Sequence, residues 1–103
     1  MTDIWRSFVA QRIAWANGWS ILFHEPTVTQ IRNEHNLLRD FQDEIPGYLN
    51  NERIRAALDA LELRPGPTHM ADNLRKCYAE LTRLSLVGTE EMTLVEAWIK
   101  DVN

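Results

Sequence analysis

Residues 2–15 read Thr2-Asp3-Ile4-Trp5-Arg6-Ser7-Phe8-Val9-Ala10-Gln11-Arg12-Ile13-Ala14-Trp15. Ile4, Trp5, Phe8, Val9 and Ile13 recur at the spacing of one helix face, so this stretch predicts an amphipathic helix. Thr2 or Asp3 can cap its start, and Asn17-Gly18 supplies a left-handed stop. Asp3, Ser7, Gln11 and Ala14 fall on the opposite flank, with Arg6 beside them.

The next segment, Trp19-Ser20-Ile21-Leu22-Phe23-His24, is short, β-branched and aromatic, and Pro26 ends it. Its composition predicts a strand. Nothing else in the chain alternates, so a pairing partner would have to come from another chain or a further segment. Thr27 to Glu44 reads as a helix with capping-box spacing at Thr27 and Gln30, and with Val28, Ile31, Leu38 and Phe41 as its apolar stripe. Its polar middle, Gln30 to Asn36, leaves an extended course to about Asn36 as the alternative. Ile45-Pro46-Gly47 predicts a turn, after which Asn50 or Asn51 caps a helix carrying Ile54, Ala57, Leu58 and Leu61.

Beyond the linker-like Arg64-Pro65-Gly66-Pro67-Thr68-His69, Asp72 can cap a helix. Leu74, Cys77, Tyr78, Leu81 and Leu84 form its stripe, and Val87-Gly88 ends it. Thr89 caps the last helix, whose buried face is Met92, Val95, Trp98, Ile99 and Val102. Trp5, Trp15 and Trp98 all fit apolar stripes and read as core. The expected fold is therefore mainly α, with about five helices and one short β-strand between the first and second. All of it forms one small domain over residues 1–103.

Composition narrows the function classes. A chain of 103 residues, 45% hydrophobic and 25% charged, has the balance of a folded soluble domain. Its formal charge is −4 with no basic block, which argues against nucleic acid as a partner. The single cysteine rules out an intrachain disulfide and a cysteine metal cage, and points to a reducing compartment. No apolar run nears the ~20 residues of a membrane span, and the first residues lack the basic region of a secretion signal. Cytoplasmic residence is the expectation. The glycines are isolated, so there is no phosphate-cradling loop.

Two polar groupings can carry chemistry. Asp3 and Ser7 lie one helical turn apart, as a general base beside a substrate-positioning group would. The plainer reading has Asp3 capping the helix and pairing with Arg6. Arg32, His35 and Asp40 could hold a phosphate or a metal, since a guanidinium forks onto phosphate and imidazole ligates metals. The alternative is an amide-rich loop satisfying its own backbone. No paired ligand spacing supports a metal site, and no cofactor is expected. Cys77 lies on an apolar stripe and reads as an inert, buried thiol.

Three blocks carry a resemblance: Asp3-Ile4-Trp5-Arg6 running to Gln11-Arg12-Ile13-Ala14-Trp15; the apolar Leu22-Phe23-His24-Glu25-Pro26-Thr27-Val28; and Arg32-Asn33-Glu34-His35-Asn36 leading to Asp40-Phe41. In order and spacing they resemble the C-terminal portion of the STELLO-like glycosyltransferases. The likeness covers roughly the first half of the chain, and the second half has no counterpart in it. It implies the acceptor side of a nucleotide-sugar transferase. Asp3 would be an acceptor-site carboxylate, and Arg6, Gln11 and Arg12 its positioning shell. Arg32, Asn33, His35 and Asn36 would hold the donor phosphate or sugar. The orphan strand would edge a sheet supplied by the rest of the enzyme.

Such enzymes need an upstream nucleotide-binding half with a D-x-D-type metal motif, and this sequence contains no D-x-D. The resemblance thus implies a C-terminal fragment or stand-alone remnant, inactive alone, with residues 1–44 glycosyltransferase-like and 45–103 a helical segment. The competing reading is a small helical interaction module that forms a homodimer or docks onto a partner, motivated by the surplus of large apolar residues. A third is an independent small-molecule enzyme using Asp3 and His35.

Overall fold

The computed structural model describes residues 2–31, 34 and 36–102, the side chain of Thr2 excepted. Among these residues the secondary structure is helical: α1 (Thr2–Ala16), α2 (Leu37–Asp59), a single 3-10 turn (Pro67–His69), α3 (Met70–Arg83) and α4 (Thr89–Val102). Helix α3 is central and packs against α1, α2 and α4. Trp5, Val9 and Ile13 of α1 meet Ile54 and Leu58 of α2, Cys77, Tyr78 and Leu81 of α3, and Val95 and Ile99 of α4. The core thus follows the 3.6-residue period of the stripes on α1 and α3.

Buried polar groups staple the connections. Asn73, 1% exposed, donates to the Arg64 carbonyl at 2.8 Å and accepts from the Arg64 amide at 3.2 Å. Helix α1 ends as expected at a left-handed Gly18 (φ +72°), with Trp19 N–H donating to Ala14 C=O and Gly18 N–H to Trp15 C=O. The Asn17 side chain then accepts from the Gly66 amide at 2.7 Å, fixing the loop before α3.

Several expectations are corrected. Trp19–His24 forms no strand, since a strand exists only through a ladder and no partner lies beside it among the described residues. The helix expected from Thr27 begins at Leu37, where the Asn36 side chain accepts from the Leu38 and Arg39 amides. The described residues from Thr27 to Asn36 carry no helix. No turn forms at Ile45-Pro46-Gly47, because α2 runs through Pro46, and two expected helices are one. The proline forfeits one i→i−4 bond, and Asn50, expected as a cap, lies inside the helix and donates its amide to the Pro46 carbonyl at 2.8 Å. Helix α3 starts at Met70, ahead of Asp72, and ends at a left-handed Ser85 (φ +60°) before Gly88 is reached.

The expected core also shrinks. Val28, Ile31, Leu38 and Phe41 are all exposed, as are Trp15 and Trp98, more than half exposed, and Val102. The radius of gyration is 15.4 Å, against about 13 Å for a compact chain of this length. The accessible surface is 8087 Å², where about 6,000 Å² is usual for this mass. That excess accompanies a run of uncovered apolar side chains over residues 19–49.

Candidate functional site

Helix α1 carries the expected acceptor-side residues, and its geometry divides them. Asp3 lies exposed in the first turn, roughly 13 Å along the axis from Arg12. Arg6 and Arg12 point roughly 120° apart around the helix. Arg6 faces α4, where its guanidinium pairs with Glu91 at 3.5 Å beside Tyr78. The Glu91 carboxylate holds the Arg6 guanidinium above its ordinary pKa. Burial raises the Tyr78 phenol, and the Arg6 charge opposes that rise.

Gln11 and Arg12 face α2 instead. Arg12 donates from Nε to the Leu58 carbonyl and from Nη2 to the Leu61 carbonyl, both at 2.8 Å. Its charge thus sits against the negative C-terminal end of α2. Trp5 adds a second tie, its indole N–H donating to Asn51 Oδ1 at 3.1 Å. Asn51 therefore lies inside α2 as a cross-helix acceptor, where a cap was expected. Beneath Arg12, burial pushes the Cys77 thiol up to about 11, in keeping with an inert thiol.

Between these contacts, α1 and α2 leave a cleft of about 250 Å³. Phe8, Gln11 and Trp15 form one wall, and they share a helix face because seven residues make nearly two turns. Glu52, Arg55 and Asp59 of α2 form the other. Arg55 is bound on both sides, to Glu52 and, at 2.7 Å, to Asp59. Sequence reasoning missed this wall, although the i, i+3 and i+7 spacing of Glu52, Arg55 and Asp59 was a readable signal. It also placed Trp15 in the core. Trp15 lies two positions beyond Ile13, on nearly the opposite side of the helix from that buried residue.

On the donor side, Asn36 uses its side-chain oxygen to cap α2. Arg32, Asn33 and His35 lie outside the described residues. Asp40 sits in the first turn of α2. Among the described residues no group of three His, Cys, Asp or Glu side chains converges, so they do not fit a divalent metal. Among the described residues no helix is long and apolar enough to cross a membrane.

A second concavity, of about 510 Å³, lies between α1, α3 and α4, with Leu74 of α3 on its floor and Trp98 and Val102 on its rim. Its lining is chiefly apolar, which suits burial of a neighbouring surface better than polar chemistry.

A family model described as STELLO glycosyltransferases matches residues 1–103. The relationship noticed in the first half therefore extends through α3 and α4. No curated protein and no solved structure matches the chain.

Proposed function

The chain belongs to the STELLO glycosyltransferases, and from that premise we propose that it is the acceptor-side helical part of a nucleotide-sugar transferase. On this reading it is inactive alone and is completed by a nucleotide-binding half that docks on residues 19–49. The observation that carries the reading is the uncovered apolar run. Leu22, Phe23, Val28, Ile31, Leu37 and Leu38 are each at least four-fifths exposed. Covering one such side chain is worth about 1.5–3 kcal/mol, and folded monomers rarely leave so many together. Residues 20–31 carry no regular secondary structure and make no backbone–backbone hydrogen bond among the described residues. Such a segment is competent to add to the edge of a sheet in a partner.

Within the assembled enzyme, Asp3 is the proposed acceptor-site carboxylate, taking the proton of the attacking hydroxyl. Arg6 flanks it on the α4 side, Gln11 and Arg12 position the acceptor further along α1, and Arg32, Asn33, His35 and Asn36 are the proposed donor-binding residues. The same exposed run also favours a second reading, in which another copy of the chain covers it and the product is a homodimeric interaction module.

One experiment separates them. Sugar transfer from a uridine-diphosphate sugar is assayed with the chain alone and after adding the nucleotide-binding half of a STELLO glycosyltransferase. The proposal expects no turnover alone, a one-to-one complex, and turnover on mixing that is lost with Phe23→Asp. Turnover by the isolated chain overturns it. A stable homodimer that excludes the added half replaces it with the second reading.

A further inference from the structure

We infer that the cleft between α1 and α2 is a subsite for the ring of a neutral sugar, stacked on the Trp15 indole. Trp15 keeps 54% of its surface exposed and shares a cleft wall with Gln11. An indole face carries negative charge density, and the C–H bonds on one face of a pyranose carry small positive charges, so the two attract when stacked. Gln11 is partly buried, and its amide makes no hydrogen bond to protein among the described residues. It is free to donate to one sugar hydroxyl and accept from another. Across the cleft, the Glu52 and Asp59 carboxylates retain lone pairs beyond those used by Arg55, and can accept from further hydroxyls.

Charge selects the ligand class. Arg12 and Arg55 balance Glu52 and Asp59 among the lining groups, leaving the cleft neutral. Both guanidinium groups are also engaged, Arg12 on two backbone carbonyls and Arg55 on two carboxylates. A diphosphate would meet two carboxylates and no unengaged cation, whereas an uncharged polyhydroxylated ring meets no such penalty. At about 250 Å³ the cleft lies below the ~300–1,000 Å³ of sites for drug-sized ligands, which suits a single ring. The inference deepens the acceptor-side reading: this cleft would receive one sugar unit of the acceptor, away from Asp3.

The test is an amide and indole NMR titration of the full chain with methyl glucoside, methyl galactoside and methyl mannoside, with uridine diphosphate as the anionic probe. Expected is a saturable millimolar response from at least one glycoside, confined to Trp15, Gln11 and residues 51–59. Trp15→Ala should weaken it about tenfold or more, equivalent to about 1.4 kcal/mol. Trp15→Phe should retain part of it, and Trp98→Ala should leave it unchanged. Because Trp15 is exposed, its variants should keep the core resonances of the parent. No saturable response, a response unaffected by Trp15→Ala, or a cleft that answers uridine diphosphate and ignores all three glycosides would overturn the inference. Each outcome is independent of whether a nucleotide-binding half docks on residues 19–49.

Discussion

The two ends of α2 face opposite situations. Ile54 and Leu58, near its C-terminal end, are sealed against α1 and α3, with Ile54 wholly buried. Leu37 and Leu38, at its start, are each 81% exposed. The same chemistry of side chain and the same helix thus give a core at one end and an uncovered apolar surface at the other. The difference teaches that capping and local propensity decide where a helix forms, while burial is decided by whether a neighbour is present. Leu22, Phe23, Val28, Ile31, Leu37 and Leu38 lie outside the packed core and are left uncovered.

The sharpest way to break this comparison is to truncate a leucine-sized side chain at each end. Ile54→Ala should lower unfolding stability by about 2–5 kcal/mol, through lost burial and a cavity. Leu38→Ala should change it by no more than about 0.5 kcal/mol. Urea denaturation of the isolated chain measures both, and equal losses would mean that residue 38 is covered in solution.

Next in size is the Arg12 clamp. Arg12→Ala leaves the Leu58 and Leu61 carbonyls without their charged donor, and should cost about 2–4 kcal/mol. Arg6→Ala, which removes only an exposed ion pair with Glu91, should leave the denaturation midpoint in place. The pair of variants shows which cation of α1 holds the fold and which remains available to a ligand.

A pH titration examines the packed region from within. The folded Cys77 thiol ionises near 11, above its ordinary 9.0, because burial disfavours the thiolate. In the unfolded chain the proton leaves first, so its contribution is complete below 9.0 and is lost as pH rises towards 11. The loss should reach about 2–3 kcal/mol, and Cys77→Ala should flatten that part of the profile. Tyr78, also raised by burial, acts in the same direction.

The smallest effect concerns a turn. Ser85 closes α3 in the left-handed region at φ +60°, a conformation costing a non-glycine residue about 1–2 kcal/mol. Ser85→Gly should therefore raise stability, by about 1 kcal/mol at most once glycine's greater freedom in the unfolded chain is counted. Differential scanning calorimetry would register it as a higher Tm.

How much of this was legible in the sequence follows the same division. Helices α1, α3 and α4 were readable because Trp5, Val9 and Ile13, then Cys77, Tyr78 and Leu81, then Val95 and Ile99 repeat at helical spacing and truly face a core. Trp19–His24 misled because β-branched and aromatic composition records a preference for pairing, and pairing needs a partner. Pro46-Gly47 misled because turn-forming residues are tolerated inside a helix fixed by Asn36 at one end and by packed Ile54 and Leu58 at the other. Gln11 and Arg12, expected beside Asp3, line a cleft against α2 instead, while Arg6 faces α4. The spacing of Glu52, Arg55 and Asp59 marked a charged face of α2, but no local pattern states that this face meets Trp15 across a cleft.

The central claim is that residues 19–49 form a docking surface for the nucleotide-binding half of a transferase. Amide hydrogen exchange of this stretch tests it most directly, comparing the chain alone with the chain mixed with that half. The account predicts fast exchange over residues 20–31 in the isolated chain and strong protection there on mixing, with α3 protected in both. Unchanged exchange over 20–31 after mixing, or protection already present in the isolated chain, would contradict it.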